Sequence, residues 1–438
     1  MKTENLIIYQ MALRTFTPEG TLNAAIERLP YVKSLGVDIV YLCPVFIAEN
    51  DENQETWSER QHASKTGNPK NPYKMYDYFH VDEEYGTDED LKRFIDVAHE
   101  LELMVFLDMV YLHCGKGAIF VNDNPDFIER NEDGSSVVGA HWPFARLNYK
   151  NPELRKYMTS NMEYFITEYN VDGFRCDVAD RVPLDFWEEA FDHLRKIKPD
   201  LLTLNEGKIP EYIQKAFDWC YSSPWRGKFR GLFRGLNGVS AFRDYCIEER
   251  DIYGDGVKRC TRCVDNHDTA SDVGLERNEL VMTTQGVEAA LIIMYTYDGI
   301  PFLWNGVEFC DAAENNMFSN RFYGKRSAMD WSNAFTSKGQ KRTELVKKLH
   351  ELHHNSPSIT KGFVEWIDND QADDIISYRK EYEGEELVVI VNAKNIPVSV
   401  NLQFNVDTDA IIMSYGAAAE GCNVTLEPYG YIVTKKNI

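Results

Sequence analysis

The run VDGFRCD (171–177) decides how the chain is read. It is a short apolar segment that carries an arginine and ends in a carboxylate, and seven other runs share its length and texture. These are NLIIYQ (5–10), VDIVYL (37–42), LMVFLD (103–108), LLTLNE (201–206), FDWCYS (217–222), RCTRCVDNHD (259–268) and IPFLWNG (300–306). Runs this short read as buried strands. Between them lie helical patterns. Residues 22–35 place apolar side chains near i, i+3, i+4 and i+7, and 87–101 opens as a capping box, with Thr87 followed by Asp90. Eight buried strands separated by helices predict a parallel sheet closed into a (β/α)8 TIM barrel.

After residue 356 the texture changes to DIISYRK, ELVVIVNAK, VSVNLQFNV, DAIIMSY and YGYIVTK, short alternating segments separated by turn residues. The expected organisation is a catalytic barrel over 1–356 and a C-terminal antiparallel β-sandwich over 357–438. Two connections, 47–75 and 114–150, are long and rich in Asn, Asp, Gly and Pro. The second predicts a small inserted subdomain after strand 3. Connections that follow barrel strands lie on the face that carries function.

The 438 residues suit a barrel with one appended module, and 43% hydrophobic content with 13% aromatics is that of a globular chain. No stretch approaches the roughly 18 apolar residues of a membrane span. The charge sum of 47 cationic and 70 anionic side chains is −23, a field that repels phosphate backbones, so neither nucleic acid nor membrane is an expected partner. Glu4 and Asn5 interrupt the apolar region a signal peptide would need, and nine scattered cysteines suit reduced thiols, so a cytoplasmic location is expected. Cys260 and Cys263 have CxxC spacing, but on a strand an offset of three sends the thiols to opposite faces.

Four of the runs end in a carboxylate: Asp108, Asp177, Glu206 and Asp268. A barrel gathers its strand C-termini at one mouth, where His113, His267 and Arg175 also fall. Arg175 and Asp177 are two apart and share a strand face, so the cation should keep Asp177 ionised, as a nucleophile requires. One ionised carboxylate and one protonated carboxyl across a sugar bond are the requirement of glycoside hydrolysis.

These residues carry a resemblance. The chain resembles glycoside hydrolase family 13, the α-amylase family, through LDMVYLH (107–113), GFRCD (173–177), Glu206 in LTLNEG and DNHD (265–268), in the family's order. The segment DVADRVP (177–183) is similar to its oligosaccharide-degrading branch. The resemblance implies Asp177 as nucleophile, Glu206 as acid/base and Asp268 as the third carboxylate, which grips sugar hydroxyls. It further implies Arg175, His113 and His267 as contacts of the reacting sugar, and Tyr73 as the platform beneath it. The implied activity is retaining cleavage of α-glucosidic bonds in short α-glucooligosaccharides, without a cofactor. Transfer, phosphorolysis, isomerisation or sugar binding without catalysis are alternatives on the same scaffold, and oligomeric state is left open. A phosphate-binding metabolic barrel is disfavoured, because the late segment YDGIPFLWNGVE lacks a glycine-rich phosphate loop.

The chain departs from the family at two places. Leu112 stands where the family usually has Asn, a calcium-supporting position, so no metal is expected at that site. Gly207 and Lys208 follow the acid/base in place of the usual aromatic or small pair. Two further segments have expected roles. WRGKFRG (225–231) is read as a loop over the mouth with Trp225 as an outer sugar platform, and Asp368, Asp370, Asp373 and Asp374 as a solvated turn that lacks the pattern of a calcium loop.

Overall fold

The computed structural model describes residues 3–139, 142–271, 277–323 and 328–437. Eight parallel strands form a closed barrel: β1 (Ile8–Met11), β2 (Ile39–Leu42), β3 (Met104–Met109), β4 (Gly173–Cys176), β5 (Leu202–Asn205), β6 (Trp219–Tyr221), β7 (Cys260–Arg262) and β8 (Ile300–Trp304). Each lies within or overlaps one of the eight runs, and each pairs with its neighbours in sequence, β1 closing on β8.

Side-chain alternation sorts each strand between two cores. Ile8, Ile39, Phe106, Leu202, Trp219 and Ile300 fill the interior, whereas Tyr9, Val40, Val105, Leu107 and Phe174 pack outward under the helices. Gly173 is required in the interior layer, because a Cβ there would lie 2.4 Å from the Phe106 ring. The cysteines obey the same rule: Cys260 belongs to the outer core and Cys263 to the interior, and all nine thiols are free.

The expected helix over 22–35 is two helices, Leu22–Ile26 and Leu29–Ser34, because Pro30 begins a new first turn and cannot continue the old one. The capping box at Thr87 is present and opens the helix Asp88–Glu100. The barrel ends on the helix Ser337–Asn355. Beyond it, β9 (Glu365–Trp366), β10 (Ile375–Tyr382), β11 (Glu385–Asn392), β12 (Val398–Asn401), β13 (Ile411–Glu420) and β14 (Asn423–Asn437) form one antiparallel sheet. The long β14 pairs with β12 through its first residues and with β11 through its last, and β13 follows it through two register shifts. The folded sheet encloses its own core of Ile375, Val388, Ile390, Val398, Val400 and Ile432.

One member of the acidic cluster ties this sheet to the barrel and another braces the sheet itself. Asp368 pairs with Arg243 at 2.7 Å, and Asp370 accepts the Asn401 N–H. No helix among the described residues is long and apolar enough to cross a membrane.

Candidate active site

The interior positions change character toward the C-terminal end of the barrel. Two residues above Ile8, Ile39, Phe106 and Gly173, the same inward face carries Gln10, Tyr41, Asp108 and Arg175. A further step of two brings Asp177 above Arg175 and Glu206 above Leu204. The apolar core thus ends in a polar layer at the mouth, where barrel enzymes place their chemistry.

Arg175 is the hub of that layer. Its side chain is fully buried, and its guanidinium donates to Asp108 at 2.6 Å, Asp177 at 2.9 Å and Glu206 at 2.5 Å. The rings of Tyr41, Tyr73 and Tyr221 surround the cation within 6.0 Å. Asp108 also accepts from the Tyr41 and Tyr73 hydroxyls, which accounts for both its oxygens and makes it a support of the hub. Directly after Asp177, Val178 has a φ of 43°, a left-handed conformation costly for a β-branched residue. The turn aims the Val178 N–H at Glu206, 3.0 Å away. Gly207 is a steric requirement of the same loop, since a Cβ would lie 2.7 Å from the Asn205 amide.

The expectation that Arg175 simply keeps Asp177 ionised needs correction. Burial pushes the Asp177 carboxyl well above its ordinary range, and Glu206 and Asp108 push it further, against the pull of Arg175. One guanidinium shared among three carboxyls does not neutralise them all. Glu206, on the same guanidinium, is the nearer of the two carboxyls that press on Asp177 in this way.

The two histidines are neutral. Burial lowers both His113 and His267 to about 4. His113 Nε2 donates to the Tyr73 carbonyl at 3.0 Å, and its ring packs on Trp142 and Phe144. The Gln10 amide donates to His267 Nδ1 at 2.6 Å and accepts the His267 N–H, which leaves the ring proton on Nε2, facing Asp268 at 3.4 Å. Tyr73 lies stacked on the His267 ring with centroids 5.7 Å apart. The structure therefore brings together all seven residues singled out in the sequence.

Asp268 is held apart from the Arg175 group. Arg60 donates to its Oδ1 at 2.5 Å and Arg226 lies 3.4 Å from its Oδ2. Its carboxyl falls far below the ordinary range, pulled down by the Arg60 and Arg226 cations against the effect of burial. Trp225, by contrast, is not a sugar platform. It sits fully buried in the helix Ser223–Phe233, stacked on Phe229 with centroids 4.4 Å apart, because residues 225, 229 and 233 share one helix face. The same helix turns Arg226 toward Asp268.

Sequence reading missed Gln10, Tyr41, Tyr221, Arg60 and Arg226. Gln10 alone carried a usable signal, a polar residue that closes an apolar strand.

The long connections flank this centre. Residues Ala48–Asn50 pair with Lys70–Met75, and His113–Cys114 with Ala145–Arg146. Beside the second, a cleft of about 290 Å³ runs from His113 past Trp142, Phe144, Arg146 and Arg181. It meets a larger one of about 710 Å³ that shares Leu112, Arg146 and Arg181. The Leu112 side chain is buried and purely alkyl, so it offers no oxygen ligand to a hard cation.

The profile of the alpha amylase catalytic domain matches residues 4–132 and 140–218. A maltogenic alpha-amylase of Bacillus acidopullulyticus is 25% identical over 88% of this chain and 65% of its own length. An intracellular maltogenic amylase of Bacillus subtilis is 23% identical over 89% of the chain and 64% of its own length. The chain thus spans a little under two thirds of the length of these curated relatives. Among solved structures, a noncanonic maltogenic alpha-amylase, AmyB, from Thermotoga neapolitana matches with a TM-score of 0.82 and 24% identity, covering 100% of both chains.

Proposed function

Because the chain belongs to glycoside hydrolase family 13, the α-amylase family, we propose that it is a retaining glycosidase that cleaves α-glucosidic bonds of short α-glucooligosaccharides. The observation that carries the proposal is the pair Asp177 and Glu206, both bound to the one guanidinium of Arg175, at 2.9 and 2.5 Å. Two carboxyls gathered on one guanidinium sit side by side, as a retaining pair does, without the ~6.5–9.5 Å gap by which an inverting pair admits water.

In this reading Asp177 attacks the anomeric carbon while Glu206, as the acid, delivers its proton to the glycosidic oxygen. The bond to the leaving sugar breaks and a covalent glycosyl ester forms on Asp177. Glu206, now ionised, takes a proton from water, which attacks the ester, returns Asp177 to the carboxylate and retains the α configuration. Arg175 holds both acids in register and offsets the charge that moves between them. Asp268, kept ionised by Arg60 and Arg226, accepts from two hydroxyls of the reacting sugar. His113 and His267, both neutral, supply hydrogen bonds to the same ring, and Tyr73 lies beneath it.

We take residues 1–356 as the catalytic domain, with 114–150 as an inserted subdomain, and 357–438 as the C-terminal β-domain. We also take the protein to act in the cytoplasm, supported by nine free thiols and by the relative named as intracellular. The test compares kcat/KM for maltotriose and panose with that for soluble starch, per chain end. Higher values for the oligosaccharides are expected, and faster cutting of internal starch bonds would overturn the substrate assignment. Near-normal turnover in folded Asp177→Asn or Glu206→Gln would overturn the mechanism.

A further inference from the structure

The mouth of the barrel is asymmetric. Residues 51–75, which follow β2, form a strap that crosses the β1 and β8 positions to reach the end of β7. Its short helix Glu59–Ala63 is fixed internally by Gln61, which donates to the Asn68 carbonyl at 2.8 Å. Asn68 in turn donates to the Phe318 carbonyl beyond β8 at 3.0 Å, and Arg60 closes on Asp268 at 2.5 Å. β2 and β7 are not neighbours, since β1 and β8 stand between them. The strap therefore spans that whole side. On the opposite side, above β3 and β4, the described residues border a cleft of about 290 Å³ between His113, Trp142, Arg146 and Arg181.

We infer that the strap is an end wall at the donor side of the site, and that Arg60 is the residue that restricts the protein to the terminal glucose at the non-reducing end of its substrate. The inference rests on the reading of Asp268 as the sugar-gripping carboxylate and deepens it. Glu206 follows β5, which stands across the barrel from β1 and so from the strap, and it marks the side from which the leaving group departs. The 4-hydroxyl of a glucose whose anomeric carbon faces Asp177 then points toward the strap, where a preceding sugar would have to pass.

Arg60 need not move for glucose to bind. A carboxylate has about four acceptor positions, so Asp268 can keep Arg60 and Arg226 and still accept from two sugar hydroxyls. A longer donor chain would have to break the Arg60–Asp268 pair and lift a strap anchored at Asn68. The cut is the same balanced displacement as above, restricted to the first bond from the non-reducing end.

The experiment uses the full chain and maltotetraose labelled at its reducing end, with the first products resolved by chromatography. Glucose and labelled maltotriose are expected. In Arg60→Ala the ratio of labelled maltotriose to shorter labelled products should fall at least tenfold, with Arg60→Lys between the two. A second substrate, a 4-nitrophenyl maltooligoside blocked at its non-reducing 4-hydroxyl, keeps the test independent of how the variants fold, and the wild-type protein should leave it uncut. Labelled maltose as the first wild-type product, an unchanged ratio in folded Arg60→Ala, or cleavage of the blocked substrate would each overturn the inference while leaving the glycosidase reading intact. A wild-type protein that turns over none of maltose, maltotetraose and 4-nitrophenyl α-glucoside fails the underlying reading itself.

Discussion

Replacing Arg175 with methionine is the most informative perturbation of stability, because the residue is the only guanidinium bound to Asp108 and Asp177 among the described residues. Both of those side chains and Arg175 itself are almost wholly buried, so water cannot take over the lost partner. Breaking a buried ion pair from one side costs about 3–5 kcal/mol. For 438 residues the unfolding entropy is about 0.9 kcal/mol per kelvin, so Tm should fall by roughly 3–5 °C at pH 7.

The pH dependence gives the sharper test. Asp108 and Asp177 already have raised folded pKa values, so they hold more protons folded than unfolded. Such groups contribute stability that is full below the unfolded carboxyl pKa of about 3.9 and is lost as pH rises through the folded value. Without Arg175 the folded values climb further, so the deficit relative to wild type should shrink as pH falls from 7 to 5. Scanning calorimetry of both proteins at the two pH values measures this. A deficit that is absent, or equal at pH 5 and pH 7, would refute the view that Arg175 compensates buried charge.

Two other outcomes follow from the site. Because Leu112 supplies no oxygen ligand, prolonged chelation should leave maltotriose turnover unchanged, and a loss restored by calcium alone would contradict this. Burial lowers His113 and His267 to about 4 and His350 and His353 to about 3, so these groups stabilise the fold fully above about pH 6.5 and lose that contribution as pH falls toward 4. Denaturant unfolding between pH 7 and pH 4 should show a drop of several kcal/mol, and a flat profile would contradict the neutral assignment.

The barrel was legible because its signal is local and repeated. Each of the eight runs carries its own apolar pattern, and strand ends place Asp177 and Glu206 without any knowledge of contacts, whereas Asp268, expected at the end of a strand, lies six residues beyond β7 in the short helix His267–Ser271. What escaped depends on distance in space. Arg60 lies 208 residues before Asp268, within a connection that has no periodicity, and only the fold of the strap brings the two together. Trp225 failed for the opposite reason: the basic residues beside it suggested a surface, whereas the spacing to Phe229 and Phe233 makes it core. The upward shift of the Asp177 carboxyl could not be read from Arg175 alone, since two other carboxyls compete for the same cation. Gln10 sets the tautomer of His267 across 257 residues, a role that strand-end polarity hints at and only the closed barrel reveals.

The central claim is that Asp177 and Glu206 act as a nucleophile and its acid partner with retention of configuration. The most direct measurement follows maltotriose cleavage by ¹H NMR from the first seconds, before mutarotation, and reads the anomeric configuration of the newly formed reducing end. The account predicts that the α-anomer appears first and that Asp177→Asn and Glu206→Gln, both folded, each lose several orders of magnitude in turnover. First appearance of the β-anomer would contradict it.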